Sequence, residues 1–288
     1  MSRPDWRGFR LYAITAENNH PGKSVVEVME QALIGGAEIV QLRNKTGARE
    51  EVLEQAKALR ILTRKYNVPF IINDYPDIVL ETDADGVHLG QEDMPIADAR
   101  ALLGPDRIIG ISTHSLQQAI KAERDGADYI GVGPVFPTDT KPGRAAVTTS
   151  YVTEAARHIT IPFVAIGGIT LGNVDSVLAA GARRICAVSA IVGNADPAGV
   201  CRAFLEKLEA AVRELAPVQK MERKTLIING RKERSSAGTV EELIAQLGQQ
   251  NKKLVIELNG TIVQRALWAE TELQSGASIE LVHFVGGG

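Results

Sequence analysis

Between residues 9 and 215 the chain repeats one unit: a short, near-continuous apolar run rich in β-formers, then an amphipathic helical stretch. The apolar runs fall at 9–15, 38–43, 69–74, 86–90, 108–113, 129–136, 162–169 and 184–190, with helical patterns such as 50–66, 116–124 and 198–215 between or after them. Strands this apolar on both faces suit a parallel sheet covered by helices. Eight β-then-α units in just over two hundred residues predict a closed (β/α)8 TIM barrel. A doubly wound open sheet is the competing arrangement. It fits less well, because the first strand lacks the glycine fingerprint that opens a dinucleotide site.

The repeat stops near Leu215-Ala216-Pro217, and a different kind of sequence begins at Met221. Residues 224–229 read as a strand, Asn229-Gly230 as a hairpin turn, and Thr239 with Glu242 as a capping box opening a helix to Leu247. Further strands are expected at 253–258 and 278–285, and the chain ends Gly286-Gly287-Gly288. This predicts a small α+β module with a β-grasp-like order, with domain bounds at 1–216 and 221–288. A total of 288 residues suits one large core and one small one.

Composition narrows the function. A net charge of −3 gives no general attraction to nucleic acid or an anionic membrane, so phosphate binding must come from locally placed basic groups. No apolar run approaches membrane-spanning length, and no apolar core of a signal peptide follows the first residues. Cys186 and Cys201 sit in apolar surroundings and read as buried free thiols of a reducing cytoplasm.

Polar residues gather where the predicted strands end. Strand two ends in Gln41-Leu42-Arg43-Asn44-Lys45, strand three in Asn73-Asp74, strand four in His88-Leu89-Gly90-Gln91-Glu92-Asp93 and strand five in Ser112-Thr113-His114. Strand six runs on to Thr138-Asp139-Thr140-Lys141, strand seven to Gly167-Gly168-Ile169, and strand eight contains Val188-Ser189. In a barrel these ends share one mouth, where active sites are assembled. Asp74 and Asp93, on neighbouring strands, suit one hard cation completed by phosphate oxygens and water. Arg43, Lys45 and Lys141 add the positive charge of a diphosphate pocket. The glycine pair and the backbone at strand eight suit a second, single phosphate.

Each residue also has a plainer reading. Asp74 before Tyr75-Pro76 and Asp93 before Met94-Pro95 fit helix N-caps, as do Ser112 and Ser189. Arg43 and Lys45 alone fit solvated loop charges, and the glycines fit a tight turn. His88 and His114 read as hydrogen-bonded supporting groups rather than proton-transfer groups. It is the joint pattern that favours a site.

Those motifs, together with Gly133-Pro134-Val135-Phe136-Pro137-Thr138-Asp139-Thr140-Lys141 and Ala165-Ile166-Gly167-Gly168-Ile169, closely resemble the motif set of thiamine phosphate synthases over residues 9–215. The resemblance implies a (β/α)8 barrel and a transferase using Mg²⁺. Such enzymes join an aminopyrimidine methyl diphosphate to hydroxyethylthiazole phosphate and release diphosphate. Carried over motif by motif, Gln41, Arg43, Lys45, Asn73, Ser112 and Lys141 would bind the pyrimidine diphosphate, with Leu42, Asn44 and Asp139 in the same segments. Among them Arg43, Lys45, Lys141 and Ser112 would act on the leaving group. Asp74 and Asp93 would hold Mg²⁺, and Thr138, Thr140, Gly167, Val188 and Ser189 would bind the thiazole phosphate. A tautomerase of the same fold is the alternative, and it would lack the diphosphate and metal residues.

Residues 221–288 contain no cysteine, and their eight Lys/Arg balance eight Glu. A glycine-only end makes a slim tail that can enter another enzyme's site, though a bare glycine run also suits a frayed terminus. With its β-grasp order, the module resembles the sulfur carrier of thiazole biosynthesis. That family implies a Gly288 thiocarboxylate and two partners, an adenylating (ubiquitin-activating-like) enzyme and thiazole synthase. The small subunit of molybdopterin synthase is similar, and fusion to a thiamine enzyme favours the first. A non-catalytic phosphate-binding barrel with a ubiquitin-like interaction tag is the non-enzyme alternative.

Overall fold

The computed structural model describes residues 4–16, 22–138, 146–215, 224–235, 237–250, 252 and 254–283. Each early apolar run forms a short parallel strand: β1 Leu11–Ile14, β2 Ile39–Leu42, β3 Phe70–Asn73, β4 Gly86–Leu89, β5 Ile108–Thr113, β6 Tyr129–Val132, β7 Phe163–Ile166 and β8 Ile185–Cys186. They hydrogen-bond in sequence order, and β8 closes onto β1 through Leu11 opposite Ile185. The helices are α1 Val25–Ile34, α2 Arg49–Tyr66, α3 Pro76–Thr82, α4 Ile96–Leu103, α5 Leu116–Arg124, α6 Thr148–His158, α7 Val174–Ala179, α8 Ser189–Val192 and α9 Pro197–Leu215. The expected barrel is therefore present.

Strand alternation sorts the side chains into two apolar layers. Leu11, Ala13, Val40, Leu42, Phe70, Ile72, Val87 and Leu89 face outward onto the helices. Tyr12, Ile14, Ile39, Ile71, Ile108, Tyr129, Val164 and Cys186 fill the lumen. Tyr129 fits there because Gly110 faces it: a Cβ at Gly110 would lie 2.1 Å from the tyrosine ring. The same parity turns Gln41, Asn73, His88 and Ser112 inward at the mouth end. Helix starts are fixed locally. Ser24 and Glu27 form a reciprocal capping box on α1, and Ser115 caps α5, each contributing about 1 kcal/mol.

The strand expected at 184–190 is shorter than its apolar run suggested. It ends at Cys186, Val188 takes the N-cap position, and Ser189 is the first residue of α8. Strand six likewise ends at Val132, and 133–138 form the loop after it. Cys186 and Cys201 are buried free thiols. Among the described residues, no helix is long and apolar enough to cross a membrane.

The chain divides into two compact units, 1–214 and 215–288. In the second, β9 Lys224–Ile228, β10 Arg231–Ser235, β11 Leu254–Leu258, β12 Thr261–Val263 and β13 Ser278–His283 form one sheet in the order β10-β9-β13-β11-β12. The helix α10, Val240–Gln246, covers its apolar face through Val240, Leu243 and Ile244, packed on Leu226, Ile256 and Ile279. The final strand β13 runs parallel to the first, β9, at the centre of the sheet, which is the β-grasp arrangement. Asn229-Gly230 turns β9 into β10 with both residues at positive φ, as a tight hairpin needs. Asn259-Gly260 does the same for β11 and β12, a hairpin that the sequence reading passed over. At Thr239 the side chain caps Glu242 N–H, while the Glu242 carboxylate reaches Gly238 N–H rather than the cap residue's own.

Candidate active site

The C-terminal ends of β5 to β8 enclose a pocket lined by Ser112, His114, Gly131, Gly133, Thr138, Ile166, Gly167, Gly168, Val188 and Ser189. Five sequence-predicted substrate residues thus meet in one cavity: Ser112, Thr138, Gly167, Val188 and Ser189. Its wall depends on glycine. Gly167 has φ +100° and Gly168 φ +63°, both in the left-handed region. A Cβ on Gly167 would lie 2.4 Å from Pro134 Cβ, and one on Gly168 would lie 2.6 Å from the Pro137 carbonyl oxygen. The loop after β6 lies that close because Val135 and Phe136 N–H donate to the carbonyls of Ile166 and Gly167 at 2.9 and 3.1 Å. Gly167→Ala combines strain with overlap, so it is expected to destabilise the barrel by about 2 kcal/mol or more and to lower activity. A thermal melt beside a turnover assay checks this, and an unchanged melting temperature would refute it.

The acidic pair lies at the ends of β3 and β4. Asp74 N–H donates to the His88 carbonyl at 3.0 Å, and the residue adopts φ +66°, a conformation aspartate tolerates better than most. Its side chain is not a cap, since Tyr75 holds the N-cap position of α3 and makes no side-chain cap bond. Instead its carboxylate pairs with Lys45 Nζ at 2.9 Å. Burial raises the proton affinity of the Asp74 carboxyl, Lys45 opposes that rise, and the neighbouring Asp93 carboxylate adds to it. Asp93 does not cap a helix either, because Pro95 occupies that place for α4. Asp93 Oδ2 accepts Gly90 N–H at 2.6 Å, which aims the carboxylate from a closed turn. Among the described residues no three His, Cys, Asp or Glu cluster. Two adjacent carboxylate groups beside Lys45 are a hard-oxygen donor set of the kind that could hold Mg²⁺.

Other predicted residues sort by strand parity. Arg43 sits at the mouth with its backbone clamped by Thr15, whose Oγ1 accepts Arg43 N–H at 2.8 Å and donates to its carbonyl at 3.0 Å. Asn73 ends β3 and is inward and mostly buried. Leu42 is only 1% exposed and packs outward under the helices, so it offers a ligand no surface. Asn44 is committed to its own loop and to α2: Oδ1 accepts Thr46 and Gly47 N–H, and Nδ2 donates to Glu51 and Gln55. Gln41 points into the lumen, where Nε2 donates to the Tyr12 hydroxyl at 2.8 Å. Ser112 is not a cap. Its Oγ lies 2.9 Å from His88 Nε2. His114 Nδ1 bonds the Gly133 carbonyl, so both histidines are hydrogen-bonded as expected. Tyr12 and Tyr129 escaped the sequence reading, since a tyrosine in an apolar run looks like core. Asp139, Thr140, Lys141 and Gly288 lie outside the described residues.

Family models match both parts of the chain. The model of the thiamine monophosphate synthase family matches residues 11–191, and that of the ThiS family matches residues 206–288. A thiamine-phosphate synthase of Shouchella clausii is 53% identical over 204 residues, covering 70% of this chain and 98% of that protein. One of Halalkalibacterium halodurans is 54% identical over 204 residues, covering 70% and 97%. The solved thiamine phosphate pyrophosphorylase of Pyrococcus furiosus superposes with a TM-score of 0.66 at 39% identity, over 72% of this chain and 98% of that one.

Proposed function

The chain belongs to the thiamine monophosphate synthase family, with a ThiS-family domain behind its barrel, and from that premise we propose a residue-level account of a transferase fused to its own sulfur carrier. The barrel joins the pyrimidine methyl diphosphate to hydroxyethylthiazole phosphate and releases diphosphate. The observation that carries this reading is the shared mouth: an apolar pocket closed by Gly167 and Gly168, beside two carboxylates and Lys45.

The ring amino group of the pyrimidine donates electron density toward the exocyclic methylene. The bond between that carbon and the diphosphate oxygen then breaks, and its electron pair leaves with diphosphate. Arg43, Lys45 and Lys141 stabilise the charge that develops on the leaving oxygens, and Ser112 donates a hydrogen bond to them. The thiazole phosphate is held by Thr138, Thr140, Gly167 and the backbone at Val188 and Ser189. Its ring nitrogen thereby faces the carbon, and its lone pair forms the new N–C bond. Asp74 and Asp93 would hold Mg²⁺, which supplies further neutralisation of the departing diphosphate. No nucleophilic side chain is required.

Supplying the purified chain with both substrates and Mg²⁺ should release diphosphate and thiamine phosphate in equal amounts. Binding of the pyrimidine diphosphate without release would instead support a phosphate-binding barrel with an interaction tag, and isomerisation of the thiazole alone a tautomerase.

The second unit carries sulfur as a thiocarboxylate on Gly288, loaded by an adenylating enzyme and delivered to thiazole synthase. We place its boundary with the barrel between 216 and 221, just beyond the division of the two compact units at 214 and 215. Each unit has its own buried core, so cutting there should separate them without loss. Residues 1–217 expressed alone are expected to stay folded and to turn over within about twofold of the full chain. An insoluble or inactive fragment would place the boundary elsewhere.

A further inference from the structure

The lumen of the barrel holds a continuous row of hydrogen-bonded side chains that the chemistry above does not explain. It runs from Gln41 Nε2 to Tyr12 Oη at 2.8 Å, and from Tyr12 Oη to Tyr129 Oη at 3.0 Å. It continues from Tyr129 Oη to His88 Nδ1 at 2.8 Å, and from His88 Nε2 to Ser112 Oγ at 2.9 Å. The row crosses the barrel from β2 through β1, β6 and β4 to β5, and its last member, Ser112, lines the pocket closed by Gly167 and Gly168. Gln41, Tyr12 and Tyr129 are at most 1% exposed.

We infer that Gln41, Tyr12, Tyr129 and His88 are positioning residues forming a one-directional hydrogen-bond relay that fixes His88 as the Nε2–H tautomer and turns the Ser112 hydroxyl hydrogen into the substrate pocket. The direction follows from counting hydrogens. The amide nitrogen of Gln41 can only donate, so the Tyr12 oxygen accepts from it and the Tyr12 hydrogen passes on to Tyr129. The Tyr129 hydrogen then goes to His88 Nδ1, which must carry the lone pair. A ring that carries one hydrogen then has it on Nε2, where it is donated to Ser112 Oγ. Ser112 has received one bond, and its own hydrogen is available to an anionic oxygen in the pocket.

The reverse order would aim the Tyr12 hydrogen at an amide N–H inside a buried core, leaving a bond unmade. Burial holds both phenols in their protonated form, which supplies the hydrogens this count requires. Each donated bond strengthens the next, so the amide at one end biases the hydroxyl at the other. The inference rests on the proposed placement of Ser112 against the pyrimidine diphosphate.

Nitrogen NMR of the full-length protein with ¹⁵N-labelled histidine reads the tautomer directly. The chain has five histidines, and the His88 signals are identified by their loss in His88→Asn. A pyrrole-type Nε2 with a pyridine-type Nδ1 is expected. A hydrogen on Nδ1, or on both nitrogens, would overturn the relay while leaving the synthase reading intact. In kinetics, Tyr129→Phe removes the donor to Nδ1 and should lower kcat about tenfold with an unchanged KM for the thiazole phosphate. On a Ser112→Ala background it should lower kcat no further, because its effect passes through that hydroxyl. Additive losses would overturn the relay. Full turnover by Ser112→Ala would overturn both the relay and the assignment of Ser112 to the leaving group. Should Tyr129→Phe fail to fold, the wild-type tautomer decides alone.

Discussion

Asp93→Asn is expected to lower synthase turnover by about 100-fold or more while the protein keeps its fold. The substitution is nearly isosteric, and an asparagine oxygen can still accept the Gly90 N–H that shapes the turn. What changes is charge. In the wild type, burial raises the proton affinity of the Asp74 carboxyl, Lys45 opposes that rise, and the adjacent Asp93 adds to it by like-charge repulsion. Removing one carboxylate leaves Asp74 paired with Lys45, so the proposed Mg²⁺ site is expected to lose a ligand without losing its architecture. The melting temperature of the metal-free variant should equal or exceed that of the metal-free wild type, because a repulsive neighbour has gone. Magnesium titration of turnover, beside thermal melts with and without the ion, checks both halves. Wild-type turnover at the same magnesium concentration would remove Asp93 from the metal site, and a lowered melting temperature would mean that its charge supports the fold.

Much of this could be read from the sequence because barrel strands obey simple rules. An apolar run with a helix behind it has few other places to go, and strand ends that carry Asp74, Asp93, Lys45 and Ser112 converge by topology. What escaped notice depended on finer information. Leu42 and Gln41 are adjacent in sequence, yet alternation sends one under the helices and the other into the lumen. A motif read as a contiguous string hides that difference. Asn44 looks like a mouth residue until the backbone of its own loop is seen to use its side chain. Tyr12 and Tyr129 gave no signal in sequence, because their hydroxyls matter only through partners on other strands. Ser189 was misplaced for a related reason: an apolar run such as 184–190 cannot by itself say where strand gives way to helix. The missed β11–β12 hairpin is different, since Asn259-Gly260 carries the same turn signal as Asn229-Gly230.

Blocking the carboxylate of Gly288 should abolish sulfur loading and leave synthase activity near wild type. The β-grasp unit places its last strand, β13, at the centre of the sheet between β9 and β11, and the chain continues past His283 toward the glycines. A carrier needs a carboxylate at the end of a slender segment, because an adenylating enzyme must first attach AMP to it. A sulfur donor then displaces the AMP, and one oxygen is exchanged for sulfur. Incubated with ATP, the cognate activating enzyme and a sulfur donor, the wild type should gain the oxygen-to-sulfur mass difference on its final peptide. A C-terminal extension caps the carboxylate and should reduce that gain to nothing. Deleting Gly288 leaves a two-glycine end one residue short, so loading should fall severely without vanishing. Neither change touches Asp74, Asp93 or the pocket at Gly167, so diphosphate release should stay within about twofold of wild type in both. Sulfur found on the extended protein would sink the carrier assignment, since it would have to sit elsewhere than on Gly288. Loss of diphosphate release alongside loss of loading would show that the two units are coupled, against the independence expected of domains with separate cores.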